Sequence, residues 1–179
     1  MGGWCGCRPG VPRVAGDVMF AELGYWYATT QCDPRVVDLY SRHYSATKNR
    51  KGRADWLSAG VAGPGEKMVL MTSDSRALFV WRKVMYRRDG QHGVECAVFR
   101  NESPLLSSDL IREAVVLALR RWPHQRLFTY VNARKVRSSN PGYCFKMAGW
   151  RVAGRSSTGL ILLEYDPLRW SLMAQGAGL

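Results

Sequence analysis

Residues 138–150, SSNPGYCFKMAGW, decide the fold of this chain. They predict a short helix with both ends marked. Asn140 is suited to cap the free amides of a first turn, and Pro141 fits the first helical position. Gly149 can adopt the left-handed conformation that ends a helix. Because Trp150 follows at once, the stretch predicts a helix that is closed by glycine and followed by an aromatic residue.

The elements on either side of this stretch are also marked. Residues 126–132, RLFTYVN, are apolar and aromatic enough to predict a strand. A long amphipathic helix is predicted before that strand, beginning at Ser107 or Ser108, which would cap it, and ending at Trp122. Two further strands are predicted after the short helix, at 150–156 and 159–165.

The first part of the chain predicts a strand, a helix and a meander. Residues 24–32 are aromatic and β-branched, and Asp33-Pro34 then predicts a capped helix that runs to about Ser45. Residues 54–57 predict a second, short helix. Tight turns predict three antiparallel strands, at 67–72, 77–87 and 93–100. Together the elements predict an α/β (α+β) protein in which helices flank a mixed central sheet.

Length and composition favour a single domain. The chain has 179 residues, of which 46% are hydrophobic. We expect residues 1–19 to form a poorly ordered leader, residues 20–168 the domain, and residues 169–179 a loose tail. No apolar run approaches the roughly 18 residues of a membrane span. The five cysteines are scattered without CxxC pairs, which argues against a zinc site or a disulfide scaffold and favours the cytoplasm.

The formal net charge of +12 is the strongest compositional signal. It favours a polyanionic partner, above all double-stranded DNA, through phosphate neutralisation and counterion release. The alternative is a solvated basic surface with no such partner. The charge is clustered, which favours DNA, and the predicted DNA-binding residues are Lys48, Arg50, Lys51, Arg53, Arg134, Lys135 and Arg137.

The order of elements resembles the acyltransferase fold of the GCN5-related N-acetyltransferases. In that family two central parallel strands splay apart, here the strands that end near Arg100 and Asn132, and the pantetheine arm of acyl-CoA lies between them. The resemblance fails at one place. The family's pyrophosphate loop is glycine-rich, whereas residues 100–108 here contain no glycine. The cofactor is therefore left open: an acyl-CoA-type donor is one possibility, but it would meet an atypical pyrophosphate loop.

A narrower resemblance covers roughly residues 25–165. The segments Phe99–Ser103, Tyr130–Asn132 and Asn140–Trp150 look like the bacteriophage Mom group, diverged relatives of the same fold. Members convert adenine in phage DNA to an N6-(carbamoylmethyl) form that resists host restriction enzymes. The family has also been associated with iron and with a His-Tyr pair, which His43-Tyr44 matches here.

The resemblance implies a set of site residues. We expect His43, Tyr44 and Tyr143 to contact the base, and His43 with Tyr44 to ligate iron if a metal is bound. We expect Arg100, Ser108 and Asn132 to position the donor. The residues expected to bind the cofactor are Arg100, Asn101, Ser107 and Ser108. This chain has Asn132 where the family has an aspartate and Phe145 where it has a tyrosine, so the general base stays open.

The residues themselves also allow interpretations in which they have no catalytic role. His43 could be a partly buried histidine at a helix end, and Arg100 a strand-end arginine in an exposed ion pair. Tyr130 could line the cleft or belong to the core, and Cys144 is expected to be a small buried residue. Three functions therefore remain: a DNA adenine N6-transferase using a small-molecule donor, an acetyl-CoA-dependent acetyltransferase of a small amine, protein or RNA, and a non-catalytic DNA-binding protein.

Overall fold

Seven strands form one sheet in a computed structural model that describes residues 24–46 and 60–168. The order across the sheet is β1-β2-β3-β4-β5-β7-β6. The strands are β1 (Trp26–Thr29), β2 (Glu66–Thr72), β3 (Ala77–Lys83), β4 (Val94–Asn101), β5 (Leu127–Val131), β6 (Arg151–Arg155) and β7 (Ile161–Tyr165). The described helices are α1 (Pro34–Ser41), α2 (Ser107–Arg121) and α3 (Tyr143–Met147). The predicted strand order in sequence and the three-strand meander are confirmed, and most boundaries are shifted by one to four residues.

One pair of strands differs from the others in the described sheet. β4 and β5 are parallel, whereas every other neighbouring pair is antiparallel. Their pairing runs from Val94 and Leu127 to Cys96 and Thr129, and then it stops. Because β4 continues to Asn101 without a partner on that side, the two strands part at the centre of the sheet. The predicted splay is therefore confirmed.

The core has two layers, one on each face of the sheet. On one face α2 covers Phe79, Trp81 and Leu127, which are fully buried. Two indole N–H groups fix the helix on the sheet, since Trp26 Nε1 donates to the Leu110 carbonyl at 2.9 Å and Trp81 Nε1 to the Ala114 carbonyl at 3.1 Å. α1 covers the other face with a smaller cluster. Burial of each large apolar side chain contributes about 1.5–3 kcal/mol before cavity effects.

The helix ends confirm some of the predicted caps and correct others. Asp33 caps α1, because its Oδ1 accepts a hydrogen bond from the Arg35 amide at 2.9 Å. The helix ends at Ser41 rather than near Ser45. Neither Ser107 nor Ser108 caps α2, whose N-cap residue is Leu106 without a side-chain bond. The preceding loop sets the start of the helix, so both serines fall inside the first turn.

The short helix also begins later than predicted. Its N-cap residue is Gly142, with φ of 76°, so Asn140 and Pro141 precede the helix instead of opening it. Gly142 is required here because a Cβ would lie 2.6 Å from Leu163 Cδ1. At the other end Gly149 adopts φ of 89°, which confirms the predicted left-handed closure.

Several predictions fall on residues outside the described ranges. These are the leader, the tail and the short helix at 54–57. Within the described part of the chain, no helix is long and apolar enough to cross a membrane. Cys32 is disulfide-bonded, whereas Cys96 and Cys144 carry free thiols. The argument against a disulfide scaffold therefore does not extend to every cysteine.

Candidate functional site: the cleft between β4 and β5

A cleft opens where the two central strands part. Two cavities, of about 140 and 300 Å3, share a lining that includes Cys96 on β4 and Tyr130 on β5. The smaller one reaches toward α3, and the larger one toward the loop that follows β5. Both cavities are also lined by His43 and Tyr44, which follow α1. We use the name cleft for these two cavities together.

His43 is buried and holds β4. Its Nδ1 accepts a hydrogen bond from the Ser45 amide at 3.2 Å, and its ring is also hydrogen-bonded to the backbone of Phe99. Burial, together with the charge of Arg100, lowers the pKa of His43 from 6.5 to about 4. The imidazole is therefore neutral at pH 7 and is a poor base. Of the two expectations for His43, the geometry favours the buried structural histidine.

Tyr44 holds β5 in the same way. Its hydroxyl donates to the Tyr130 carbonyl at 3.5 Å and is also hydrogen-bonded to the backbone of Asn132. Burial raises the pKa of this phenol, so it stays protonated. The rings of His43 and Tyr44 are in contact, with centroids 4.3 Å apart. Two consecutive residues thus span the cleft. Their side chains bond backbone groups of β4 and β5 where the two strands no longer bond each other.

Arg100 lies near the cleft but is already paired. Its Nε donates to Glu102 Oε1 at 2.6 Å, and its Nη1 donates to the Arg42 carbonyl at 2.5 Å. Glu102 also accepts a bond from Arg42 Nε at 3.0 Å. The carboxylate that Arg100 binds in this structure is therefore Glu102 of the same chain. The predicted role in holding a ligand would require Glu102 to be displaced.

Asn101 is used to build the loop before α2. Its Nδ2 donates to the Leu105 carbonyl at 2.8 Å and to Ser107 Oγ at 3.0 Å. Its Oδ1 accepts bonds from the amide and the hydroxyl of Ser103. Ser108 is buried. None of Arg100, Asn101, Ser107 and Ser108 lines the cleft, so the predicted cofactor residues are not gathered around it.

The other predicted residues divide into two groups. Asn132 and Lys135 line the larger cavity, and the Lys135 ammonium donates to the Tyr44 carbonyl at 3.4 Å. Arg134 and Arg137 are exposed in the same loop, which therefore forms a basic rim. Tyr143, in contrast, is 55% exposed and does not line the cleft. The predicted DNA-binding residues Lys48, Arg50, Lys51 and Arg53 lie outside the described ranges.

Sequence reasoning missed several residues of the cleft. Cys96, Glu95 and Thr129 belong to strands whose pattern indicates only a buried core, and nothing local marks the point where the strands part. Cys144 was expected to be buried, but it is half-buried and lines the smaller cavity with Cys96. Burial raises the pKa of both thiols, so neither is a ready nucleophile.

The described residues give no support for iron. They contain no group of three or more His, Cys, Asp or Glu side chains that could hold a metal ion. Both polar atoms of the predicted pair are also engaged, because His43 bonds Ser45 and Tyr44 bonds β5. The donor set around this pair does not fit a metal centre.

The sheet with its parted central strands is the acyltransferase fold of the GCN5-related N-acetyltransferases. A search of solved structures finds a similar chain in the aminoglycoside acetyltransferase AAC(6')-Ib in complex with coenzyme A, with a TM-score of 0.60 and 14% identity. The match covers 82% of this chain and 96% of that chain. No family model matches the sequence, and no curated protein matches it. At this identity the likeness establishes the fold alone.

Proposed function

We propose that the protein is a transferase that adds a small carbamoylmethyl group to N6 of adenine in double-stranded DNA. The observation that carries this proposal is the basic rim beside the cleft. Lys135 lines the larger cavity, and Arg134 and Arg137 are exposed in the same loop. The resemblance to the Mom group supplies the nature of the group and of the base. Such a protein would act in the cytoplasm of a bacterium, on phage DNA that host restriction enzymes attack.

The lining of the cleft suits a planar, neutral base. Asn132 provides a side-chain amide, and Tyr130 and Phe99 provide aromatic surface. Enzymes that act on a base must take it out of the stack, and they recognise it by such stacking and edge contacts. The net charge of +12 provides the affinity for the phosphate backbone.

The chemistry constrains the roles of these residues. Adenine N6 is a poor nucleophile because its lone pair is delocalised into the ring. In the transfer, N6 forms a bond to the methylene carbon of the donor, the leaving group departs with the bonding electrons, and N6 gives up one proton. With a pKa near 4, His43 is too weak a base to take that proton readily. We therefore assign His43 and Tyr44 to holding apart the strands that shape the cleft, and the proton passes to water.

Acyl-CoA fits this structure incompletely. The loop before α2 has no glycine, and its Asn101 amide is fully engaged. His43 and Tyr44 also occupy backbone groups of the parted strands that a pantetheine arm would pair with. We route no step through coenzyme A or iron, and the donor is a small molecule of unassigned class.

A second candidate function is acetyl transfer to a small amine, a protein or RNA. The observation that favours it is the fold shared with a coenzyme A-bound acetyltransferase. Non-catalytic DNA binding is the third. Digestion of plasmid DNA after expression in bacteria, followed by nucleoside mass spectrometry, separates the three. We expect a deoxyadenosine species that carries one carbamoylmethyl group. Unmodified nucleosides with soluble, folded protein would refute the proposal, and an acetyl-CoA titration would then divide the other two.

A matched pair of variants tests the basic rim. R134S/K135S/R137S removes three positive charges beside the cleft, and R76S/R120S/R155S removes three exposed charges elsewhere. The slope of log K against log salt is negative for DNA binding. We expect the rim variant to reduce the magnitude of this slope by about 2–3, since each lost phosphate contact contributes about 0.9. The control should lower it much less. Equal slopes for both variants would show that DNA does not bind at the rim.

A further inference from the structure

Residues 84–91, within the loop between β3 and β4, carry two unusual side chains. Met85 is 84% exposed and Tyr86 is 88% exposed, the highest values among the large apolar residues of the described chain. They are neighbours in sequence between the end of β3 and the turn at Arg88-Asp89, and we call these two side chains the tip. Single exposed apolar residues are common on protein surfaces, but two adjacent ones favour an interaction site. We name this segment the 84–91 loop.

The part of the 84–91 loop that follows Tyr86 is fixed by a largely buried cation. The Arg87 side chain is only 12% exposed, and its Nη1 lies 2.7 Å from Glu95 Oε2. Its Nη2 lies 2.6 Å from Asp89 Oδ2. The guanidinium also lies over the Phe128 ring, 5.0 Å from its centroid. Since Glu95 is itself buried, these bonds fix the backbone directly after Tyr86.

The same bonds place Arg87 and Asp89, which follow the tip in sequence, beside the cleft. Glu95 and Tyr130 line the larger cavity, and both contact this part of the loop. Glu95 binds Arg87, and the Tyr130 hydroxyl donates to Asp89 Oδ2 at 3.0 Å. A molecule that entered the cleft from this side would therefore meet the exposed tip.

The surroundings of the tip are positively charged. Arg88, two residues after Tyr86, is exposed and makes no ion pair with any residue that the structure describes. Lys135, on the basic rim, lines the same cavity as the loop's partners Glu95 and Tyr130. A protein partner for an apolar tip does not require this positive charge, whereas the phosphates of nucleic acid do.

We propose that Met85 and Tyr86 form a wedge that inserts into the DNA base stack and fills the gap left by the adenine that enters the cleft. This inference rests on the proposed function. Apolar side chains that enter between base steps unstack them, and an extruded base leaves a space that an aromatic ring can occupy by stacking. The basic rim and Arg88 hold the flanking phosphates, and the wedge opens the stack between them.

The experiment compares M85S/Y86S with the control Y25S/V116S, which also removes two exposed apolar side chains but lies away from the 84–91 loop. The probe is a DNA duplex with 2-aminopurine at the target adenine, whose fluorescence rises when the base leaves the stack. We expect M85S/Y86S to bind at least about tenfold more weakly, to keep its salt slope and to lose the fluorescence rise. Y86F should retain both, because it keeps the ring.

Each outcome decides between the two proposals. If wild-type protein binds no duplex, both the DNA function and the wedge are refuted. If wild-type protein binds and unstacks the probe and M85S/Y86S does the same, only the wedge is refuted. A change in oligomeric state on size-exclusion chromatography, with DNA behaviour unaltered, would identify the tip as a protein contact and overturn the wedge. Thermal melting of each variant verifies that the fold is intact.

Discussion

The two halves of the β4–β5 pair are held together in different ways. At the paired end, from Val94 and Leu127 to Cys96 and Thr129, the strands bond each other through their backbones. At the parted end, His43 and Tyr44 provide the bonds instead, one to each strand. Backbone pairing leaves no room between strands, whereas side-chain bonding leaves a cleft. The comparison shows how the cleft arises: hydrogen bonds to two side chains replace part of the backbone hydrogen bonding between β4 and β5.

The surroundings of the two ends follow the same division. The paired end is flanked by fully buried residues such as Leu127 and Phe128. The parted end is flanked by half-buried residues such as Phe99 and Cys144, and by polar groups. The paired end therefore carries stability and the parted end carries polar chemistry. Three variants test this division.

The largest effect is expected from G93A at the paired end. Gly93 has φ of 110°, and a Cβ there would lie 2.1 Å from the Arg126 carbonyl oxygen, beside the bond from the Val94 amide to that oxygen. Since backbone cannot move aside, the first rung of the β4–β5 pair must break. We expect a loss of roughly 3–5 kcal/mol in the free energy of unfolding, measured by urea denaturation.

G90A is the matched control for G93A. Gly90 also has positive φ, 67°, but nothing lies within 4 Å of its would-be Cβ. Only the backbone strain remains, which costs roughly 1–2 kcal/mol. Equal losses of unfolding free energy for the two variants would mean that backbone strain alone explains G93A. The close approach of the new Cβ to the Arg126 carbonyl would then have no effect.

The next effect concerns acid stability at the parted end. The pKa of His43 is about 4 in the folded protein and 6.5 in its ordinary state, so the unfolded chain binds the proton more readily. Stability is therefore present above pH 6.5 and is lost as the pH falls toward 4. Between these values wild type should lose about 3 kcal/mol more than H43Q, which cannot be protonated.

Urea denaturation between pH 7 and pH 4 measures this difference. H92Q, which removes an exposed histidine, is the control and should keep the wild-type slope. Asp33, whose bond to Arg35 lowers its pKa from 3.8 to about 2, begins to lose its stabilising effect as the pH approaches 4, but it does so equally in wild type and H43Q and cancels in the difference. A wild-type slope in H43Q would mean that His43 is not the buried neutral group that holds β4.

The smallest effect is expected from Y44F. The change removes the hydroxyl that bonds Tyr130 and Asn132 but keeps the ring against His43. We expect a loss of about 1 kcal/mol in the free energy of unfolding, because β5 backbone groups lose a partner. Y25F, at an exposed site, should change nothing measurable. Unaltered stability of Y44F would show that the cleft does not depend on this bond.

How far sequence reasoning reached differs between elements. Asp33-Pro34 and Gly149 were recognised because capping and left-handed closure depend on a few neighbouring residues. The caps assigned to Ser107 and Asn140 were wrong, because the loop before α2 places Ser107 inside the first turn and Gly142 is the residue that precedes α3. His43 and Tyr44 were placed at a helix end by pattern, but their bonds to β4 and β5 depend on distant residues and were not foreseen.

The sequence by itself determined the order of the elements, the meander, the two-sided burial of the sheet and the basic character of the protein. These depend on periodicity, turn residues and composition, all of which act over short distances along the chain. Only the tertiary structure decided which side chains meet in the cleft. The Arg100 guanidinium reaches the carbonyl of Arg42, and Tyr44 reaches Tyr130 across an even longer separation in sequence. Such partners are chosen by packing in three dimensions, and no local pattern of residues encodes them.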